Sequence, residues 1–247
     1  MDTLIAGISG GIGLALAAHE LQRNAEARVF GLSRQASQSE GARQLATAFP
    51  GRLILVDADV ADRHSLDAAF SSHLPPDARI RRILYAIGIL HGESLFPEKR
   101  LEDVDPEAML QSYRVNTLGF LTTVQALIPW LRHREPKHIA AISAKVGSIG
   151  DNEFGGWYSY RCSKAALNMA VRNLAIETRR RLRPAIVVAL HPGTTETQLT
   201  APFQQSLARL KVHSPGDTAA NLWQILDQLA PEDSGRFLSW DGTELPW

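Results

Sequence analysis

The feature that most restricts how this chain can fold is a glycine-rich turn between a strand-like run and a helix-forming run. Thr3 to Ile8 is apolar and β-branched, Leu14-Ala15-Leu16-Ala17-Ala18 is a strong helix former, and where they meet the chain reads Gly7-Ile8-Ser9-Gly10-Gly11-Ile12-Gly13. Positions without a Cβ let the backbone approach a pyrophosphate, whose charge then faces the free N–H groups and positive end of the following helix. Strand, turn and helix stand in the order a nucleotide site requires. Gly7, Ser9, Gly10, Gly11, Ile12 and Gly13 are its predicted contacts.

The rest of the chain repeats the strand–helix theme. Short apolar runs recur at Arg28 to Leu32, Leu53 to Val56, Ile80 to Ile87, His138 to Ile142 and Ala185 to Leu190. Helical periodicity fills the intervals at Gly11 to Arg23, Glu40 to Phe49, Ser65 to His73, Pro106 to His133 and Gly156 to Arg183. A final helix is expected near Thr218 to Leu229 and a last strand near Phe237 to Trp240. This alternation predicts an α/β fold: one Rossmann-like, doubly wound parallel sheet of about seven strands with helices on both faces. No linker or repeat divides the 247 residues, so a single domain over 1–247 is expected.

Bulk properties narrow the function classes. Lys plus Arg and Asp plus Glu are 26 each, so there is no large cationic footprint for nucleic acid. The single cysteine, Cys162, cannot form an internal disulfide. The start Met1-Asp2-Thr3-Leu4-Ile5-Ala6 lacks the basic segment and long apolar run of a secretion signal, and no run approaches a membrane span, so a cytoplasmic location is expected. The histidines show no metal-ligand spacing, and no metal is expected. His91 and His191 lie near strand ends, with a surface role the plainer reading.

About 20 residues past a glycine loop, an NAD site typically places an acid for the ribose hydroxyls. Here the second strand ends Gly31-Leu32-Ser33-Arg34. A guanidinium can hold a 2′-phosphate through paired charge-assisted hydrogen bonds, and Ser33 can add a donor, so NADP(H) is the expected cofactor.

Further on, Tyr158-Ser159-Tyr160-Arg161-Cys162-Ser163-Lys164 is helical in composition. Tyr160 and Lys164 are four apart and share a face. An ammonium beside a phenol favours the phenolate, and the pair can deliver a proton to a carbonyl oxygen while hydride reaches the carbon. Cys162 faces away from them and is expected to be packed.

The G-x-x-x-G-x-G spacing of Gly7, Gly11 and Gly13, with Tyr160 and Lys164 downstream, resembles the short-chain dehydrogenase/reductase family. The stretches Gly147 to Asn152 and Gly155 to Arg161, and the tail Phe237 to Trp247, are similar to its C-factor (C-signal) and sniffer-type carbonyl reductase branch. The resemblance implies the strand order 3-2-1-4-5-6-7 and an NADPH-dependent transfer of hydride to a ketone, aldehyde or quinone-like carbonyl. It implies that Asn116 orders a water relay to Lys164, that Asp59 and Val60 hold the adenine, and that Gly88 lies close to the ribose. Pro192, Gly193, Thr194 and Thr197 would meet the nicotinamide or a phosphate, and subunits would pair into a homodimer or homotetramer.

Two departures from the family pattern stand out. The serine that holds the substrate carbonyl falls on Ala144, leaving Ser143 or Ser148 to take the role or Tyr160 to act alone. Asn-Asn-Ala-Gly after the fourth strand is replaced by Tyr85-Ala86-Ile87-Gly88. Ala144, with the likeness to C-factor proteins, keeps open a rival reading: a nucleotide-binding sensor with little turnover. Residues 194–213, including Phe203 and Leu207, interrupt the alternation and are expected to form a lid. The aromatic tail, Trp240 and Trp247 above all, is expected to pack on the pocket rim or across a subunit contact.

Overall fold

The computed structural model describes residues 1–92, 95–203 and 211–247. Seven parallel strands form one sheet: β1 (Asp2–Ala6), β2 (Arg28–Ser33), β3 (Leu53–Asp57), β4 (Ile80–Tyr85), β5 (Lys137–Ile142), β6 (Ala185–His191) and, last in the chain, β9 (Phe237–Ser239). Their order is β3-β2-β1-β4-β5-β6-β9. This is the predicted arrangement, with its switch point between β1 and β4. The remaining strands, β7 (Thr194–Thr195) and β8 (Val212–His213), form a two-residue parallel ladder that sequence periodicity does not reveal.

Each interior strand is buried on both faces, which is why it reads as a continuous apolar run. Leu4, Ile83, Ile139 and Val187 point into one core, together with Leu66 and Phe70 of α3 (Arg63–His73), Phe120 and Val124 of α5 (Gly119–Ala126), and Leu167 and Val171 of α7 (Tyr158–Arg181). Ile5, Leu84, Ala140 and Val188, one residue along each strand, point to the other. There they meet Leu16 and Leu21 of α1 (Gly11–Arg23), Ala42 of α2 (Glu40–Ala48), and Leu222 and Trp223 of α8 (Pro215–Gln228).

The predicted long helix from Pro106 is broken. It runs as α4 (Pro106–Tyr113), a π-helical turn over Arg114–Leu118, α5, and the short α6 (Ile128–Leu131). A π turn inserts one residue into the ladder, and such insertions collect at functional sites.

Among the helices that begin from non-helical backbone, capping separates two from the rest. Ser39, Asp62, Asp105 and Ser214 each accept a backbone N–H at the start of α2, α3, α4 and α8. At α1 the cap is Gly10 and at α7 it is Trp157, and neither offers a side-chain acceptor. These helices carry the glycine turn and the Tyr–Lys pair. Their first N–H groups are left for other partners.

Candidate active site

The glycine turn leaves the sheet at Gly7, whose φ of +101° stops β1 two residues short of its predicted end. A Cβ on Gly13 would lie 2.1 Å from the Gly7 carbonyl oxygen, so only glycine lets α1 start this close to the strand. The first turn of α1 has no acidic side chain and no side-chain cap, so its N–H groups and dipole fit a phosphate. Thr197, predicted from a distant segment, is brought here: its methyl lies 3.0 Å from where a Gly11 Cβ would stand.

At the end of β2, Ser33 is buried with a hydroxyl that has no hydrogen-bond partner among the described residues. Arg34 beside it is exposed and makes no ion pair among them. An orphaned hydroxyl next to an uncommitted guanidinium fits a 2′-phosphate. Asp57, the neighbouring acid on β3, accepts from the Ser37 N–H at 2.9 Å and from the Ser37 hydroxyl.

Asp59 is engaged in its own turn, accepting the Ala61 N–H at 2.9 Å. Val60 is buried; its side chain packs against Gly119 and its carbonyl accepts from the Thr122 hydroxyl at 2.5 Å.

Tyr160 and Lys164 project from one face of α7, both buried, with Lys164 Nζ 5.7 Å from the phenol ring centroid. Nζ donates to the Ile142 carbonyl at the end of β5, 2.8 Å away. Burial pushes Tyr160 well above the usual phenol range and brings Lys164 down to about 7. The expected lowering of the phenol by an ammonium is therefore opposed by desolvation, the larger effect here. The resting phenol carries its proton.

Asn116 sits in the π turn, fully buried. Its Oδ1 accepts from Ile89 N at 2.7 Å, and its Nδ2 donates to Ile89 O at 3.0 Å and to Ser163 Oγ at 2.9 Å. Thr117 Oγ1 donates to Ser163 O at 2.7 Å, so the turn docks on α7 between Tyr160 and Lys164. The amide is nearly saturated, so Asn116 works first as a brace holding the Gly88–Ile89 segment. A Cβ on Gly88 would stand 3.4 Å from Lys164 Nζ and 3.5 Å from Asn116 Oδ1, so the three predicted residues converge. Tyr85, standing where the family has asparagine, ties the sheet to the same turn: its hydroxyl donates to Val115 O at 2.6 Å.

Ser143 is not brought to Tyr160. Its hydroxyl donates to Asn168 Oδ1 at 2.6 Å, and Asn168 lies two turns along α7 from Tyr160, about 12 Å along the axis. Ser148 donates to Trp247 O at 3.3 Å and accepts from Asp151 N at 3.1 Å. Both candidate carbonyl binders are thus committed elsewhere. At the family position the half-buried Ala144 presents a methyl.

Three residues that sequence reasoning undervalued or missed, Trp157, His91 and Glu98, and Phe203 of the expected lid connect to Tyr160 or its helix. Trp157 packs edge-on against its ring with centroids 6.3 Å apart, Phe203 lies 5.3 Å from Trp157, and His91 lies 6.0 Å from Phe203. Glu98 is buried behind them. His191 is also more than a surface residue. Its Nδ1 accepts from Lys145 N at 3.3 Å, and burial, reinforced by the Lys145 charge, lowers it to about 4.

Trp240 stacks on the Gly193 turn, with its Cδ1 2.9 Å from where a Gly193 Cβ would stand, and 4.4 Å from the His213 ring, which places the tail against the predicted Pro192–Thr194 segment. Trp247 stacks on Phe237 at 5.7 Å. Within the predicted lid, Phe203 is described, whereas Leu207 lies outside the described residues. Cys162 is exposed rather than packed, because it lies on the outward face of α7 opposite the Tyr–Lys row.

The sequence profile described as short chain dehydrogenase matches residues 2–208. C-signal of Myxococcus xanthus is 38% identical over 149 residues, covering 60% of this chain and 83% of that protein. The 1-hydroxy-2-glutathionyl-2-methyl-3-butene dehydrogenase of Rhodococcus sp. (strain AD45) is 32% identical over 189 residues, covering 76% and 78%. The crystal structure of NADPH-bound carbonyl reductase from chicken fatty liver is similar with a TM-score of 0.86 and 27% identity, covering 100% of this chain and 98% of that one.

Proposed function

The chain belongs to the short-chain dehydrogenase family, and from that premise we propose that it reduces a carbonyl compound to an alcohol with NADPH. The observation that carries this reading is the convergence of Gly88, Asn116, Tyr160 and Lys164 beside a glycine turn with free helix-terminal N–H groups. The orphaned Ser33 hydroxyl and unpaired Arg34 favour the phosphorylated cofactor. That a carbonyl reductase of similar fold is NADPH-bound supports the same choice.

NADPH, when bound, would supply hydride for the carbonyl carbon. The first turn of α1 would hold the pyrophosphate, Ser33 and Arg34 the 2′-phosphate, and Asp59 and Val60 the adenine edge. Gly88 and Lys164 would hold the ribose, and the Pro192–Thr197 segment the nicotinamide amide or a phosphate. Tyr160, kept protonated by burial, donates to the carbonyl oxygen. Lys164, balanced near neutrality, would as its ammonium steady the phenolate left behind, which regains its proton from the medium to close the cycle. Asn116 holds the Ile89 backbone and Ser163 in register with both.

Of the expected lid, Phe203 serves as the inner contact, against Trp157. Exposed Leu110, Tyr113 and Leu121 on α4 and α5, with Met169 and Ile176 on α7, form a face for a second copy of the chain. No described helix is long and apolar enough to cross a membrane.

Ala144 favours one rival: a cofactor-binding sensor with little turnover, a role the name of the Myxococcus relative brings to mind. Incubation of the purified protein with NADPH and a panel of ketones, aldehydes and quinones separates the two. Oxidation of NADPH with any of them supports the reductase; tight NADPH binding with no oxidation across the panel supports the sensor.

A further inference from the structure

Glu98 is a carboxylic acid buried in a loop 61 residues before the helix it touches. Both its oxygens lie 3.2 Å from Ser159 N, and one also accepts from the Ser159 hydroxyl. Among the described residues no cation pairs with it. Its compensation comes instead from the N-terminus of α7, whose cap residue Trp157 has no acceptor to offer its own second N–H. Glu98 supplies from a distance the acceptor that Ser or Asp supplies at other helices.

The backbone of Glu98 completes the arrangement. Gly155, Gly156 and Trp157 are three consecutive residues with positive φ, +63°, +63° and +52°, and Trp157 is the only non-glycine residue so placed among the described residues. A tryptophan adopts this region only when its surroundings impose it. Here the Glu98 carbonyl accepts Trp157 N–H at 2.5 Å, and the same carbonyl lies 3.2 Å from where a Gly156 Cβ would stand. That conformation turns the indole against the Tyr160 ring at 73° and towards Phe203 at 46°, forming an aromatic corner beside Tyr160.

We propose that Glu98 is a positioning residue whose side chain caps the Tyr160 helix and thereby holds its own main-chain carbonyl where it fixes Trp157 as the wall that orients flat, aryl-bearing carbonyl substrates over Tyr160. The substrate half of this inference rests on the reductase reading above; the capping half does not. A substrate with a ring can lie against the indole, whereas a small aliphatic aldehyde gains little from it.

The test compares wild type with Glu98→Ala, Glu98→Asp and Glu98→Gln, each titrated with NADPH to count competent sites. Acetophenone and propanal serve as probes, and hydrogen exchange is followed at the Ser159 amide. In Glu98→Ala the acetophenone-to-propanal ratio of kcat/KM is expected to fall about tenfold, with propanal itself falling about threefold or less. Ser159 exchange is expected to rise at least about tenfold. Glu98→Gln, which keeps an acceptor, is expected to restore the ratio to within about threefold of wild type. Glu98→Asp, which falls short by a methylene, shows the same loss in part and stands in if the alanine variant does not fold.

Equal loss on both probes, or an unchanged ratio at full NADPH binding, would overturn the positioning role. If wild type reduces neither probe, the substrate half of the inference fails while the reductase reading is decided by the wider panel above, and Ser159 exchange still decides the cap: unchanged protection in Glu98→Ala or Glu98→Asp would overturn it.

Discussion

Ser143 donates its hydroxyl to Asn168 Oδ1 across 2.6 Å, and this bond removes from the substrate's reach the serine that the sequence offers as a carbonyl binder. Ser148 is likewise committed, to Trp247 and Asp151, so the proposed reading leaves Tyr160 to meet the carbonyl oxygen alone. Ala144→Ser therefore adds the missing donor where the family has it. A gain in kcat/KM of about tenfold or more is expected, since one oxyanion donor is worth about 10²-fold or more when fully engaged. Ser143→Ala, by contrast, leaves the Asn168 oxygen unpaired. It is expected to lower stability by about 1–2 kcal/mol, read from urea midpoints, with little change in kcat.

On the proposed reading, Arg34 is the residue that decides between the two nicotinamide cofactors. Its guanidinium is exposed beside the orphaned Ser33 hydroxyl. Removing a hydrogen bond to a charged group costs about 1.5–3 kcal/mol, so Arg34→Ala is expected to cut the preference for NADPH over NADH by about 10- to 100-fold. Fluorescence titration with each cofactor gives the two dissociation constants. Equal ratios in variant and wild type would place the 2′-phosphate elsewhere.

How far the site was legible follows from how local each signal is. The glycine turn is contiguous, and one helical turn separates Tyr160 from Lys164, so spacing alone displays both. Asn116 stands out in the sequence, and the structure brings it beside Gly88 and Lys164, but nothing in Val115-Asn116-Thr117 announces an extra residue in the helix ladder; the insertion follows from docking Asn116 and Thr117 onto Ser163, 46 or 47 residues away. Glu98 was invisible because its partner Ser159 is remote in sequence and an acid in a polar loop reads as solvated. Trp157 was missed because its importance lies in a left-handed backbone, which a large side chain does not advertise. The loss of the family's strand-tying asparagine was legible, but its replacement by a hydrogen bond from Tyr85 to Val115 was not.

Lys164 makes stability depend on pH. Its folded-state value of about 7 lies below the roughly 10.4 of an unfolded lysine. Between these values the unfolded chain binds more protons, so stability rises as pH rises from about 7 towards 10.4 and, from this group, is flat below 7. Urea unfolding at pH 7 and pH 9 is expected to show this rise in wild type and a smaller one in Lys164→Met. An equal slope in both would mean that the ammonium is not excluded from the folded core.

The helix that presents the glycine turn is anchored by a buried ion-pair cluster. Glu20 of α1 is fully buried and meets Arg23 at 2.7 Å and Arg82 of β4 at 3.3 Å, while Arg82 reaches Asp227 of α8 at 2.8 Å and lies over the Trp223 ring. Glu20→Ala removes one partner and leaves Arg82 with one carboxylate. A loss of about 3 kcal/mol is expected in urea unfolding, with NADPH affinity little changed because the cluster sits at the far end of α1 from Gly10.

Tyr160 offers the most direct measurement, since replacing it by phenylalanine removes the transferable proton and leaves the ring packed against Trp157. NADPH is expected to bind Tyr160→Phe as it binds wild type, while its oxidation with a carbonyl substrate slows by at least about 10²-fold. Turnover at the wild-type rate in that variant would contradict the assignment of Tyr160 as proton donor.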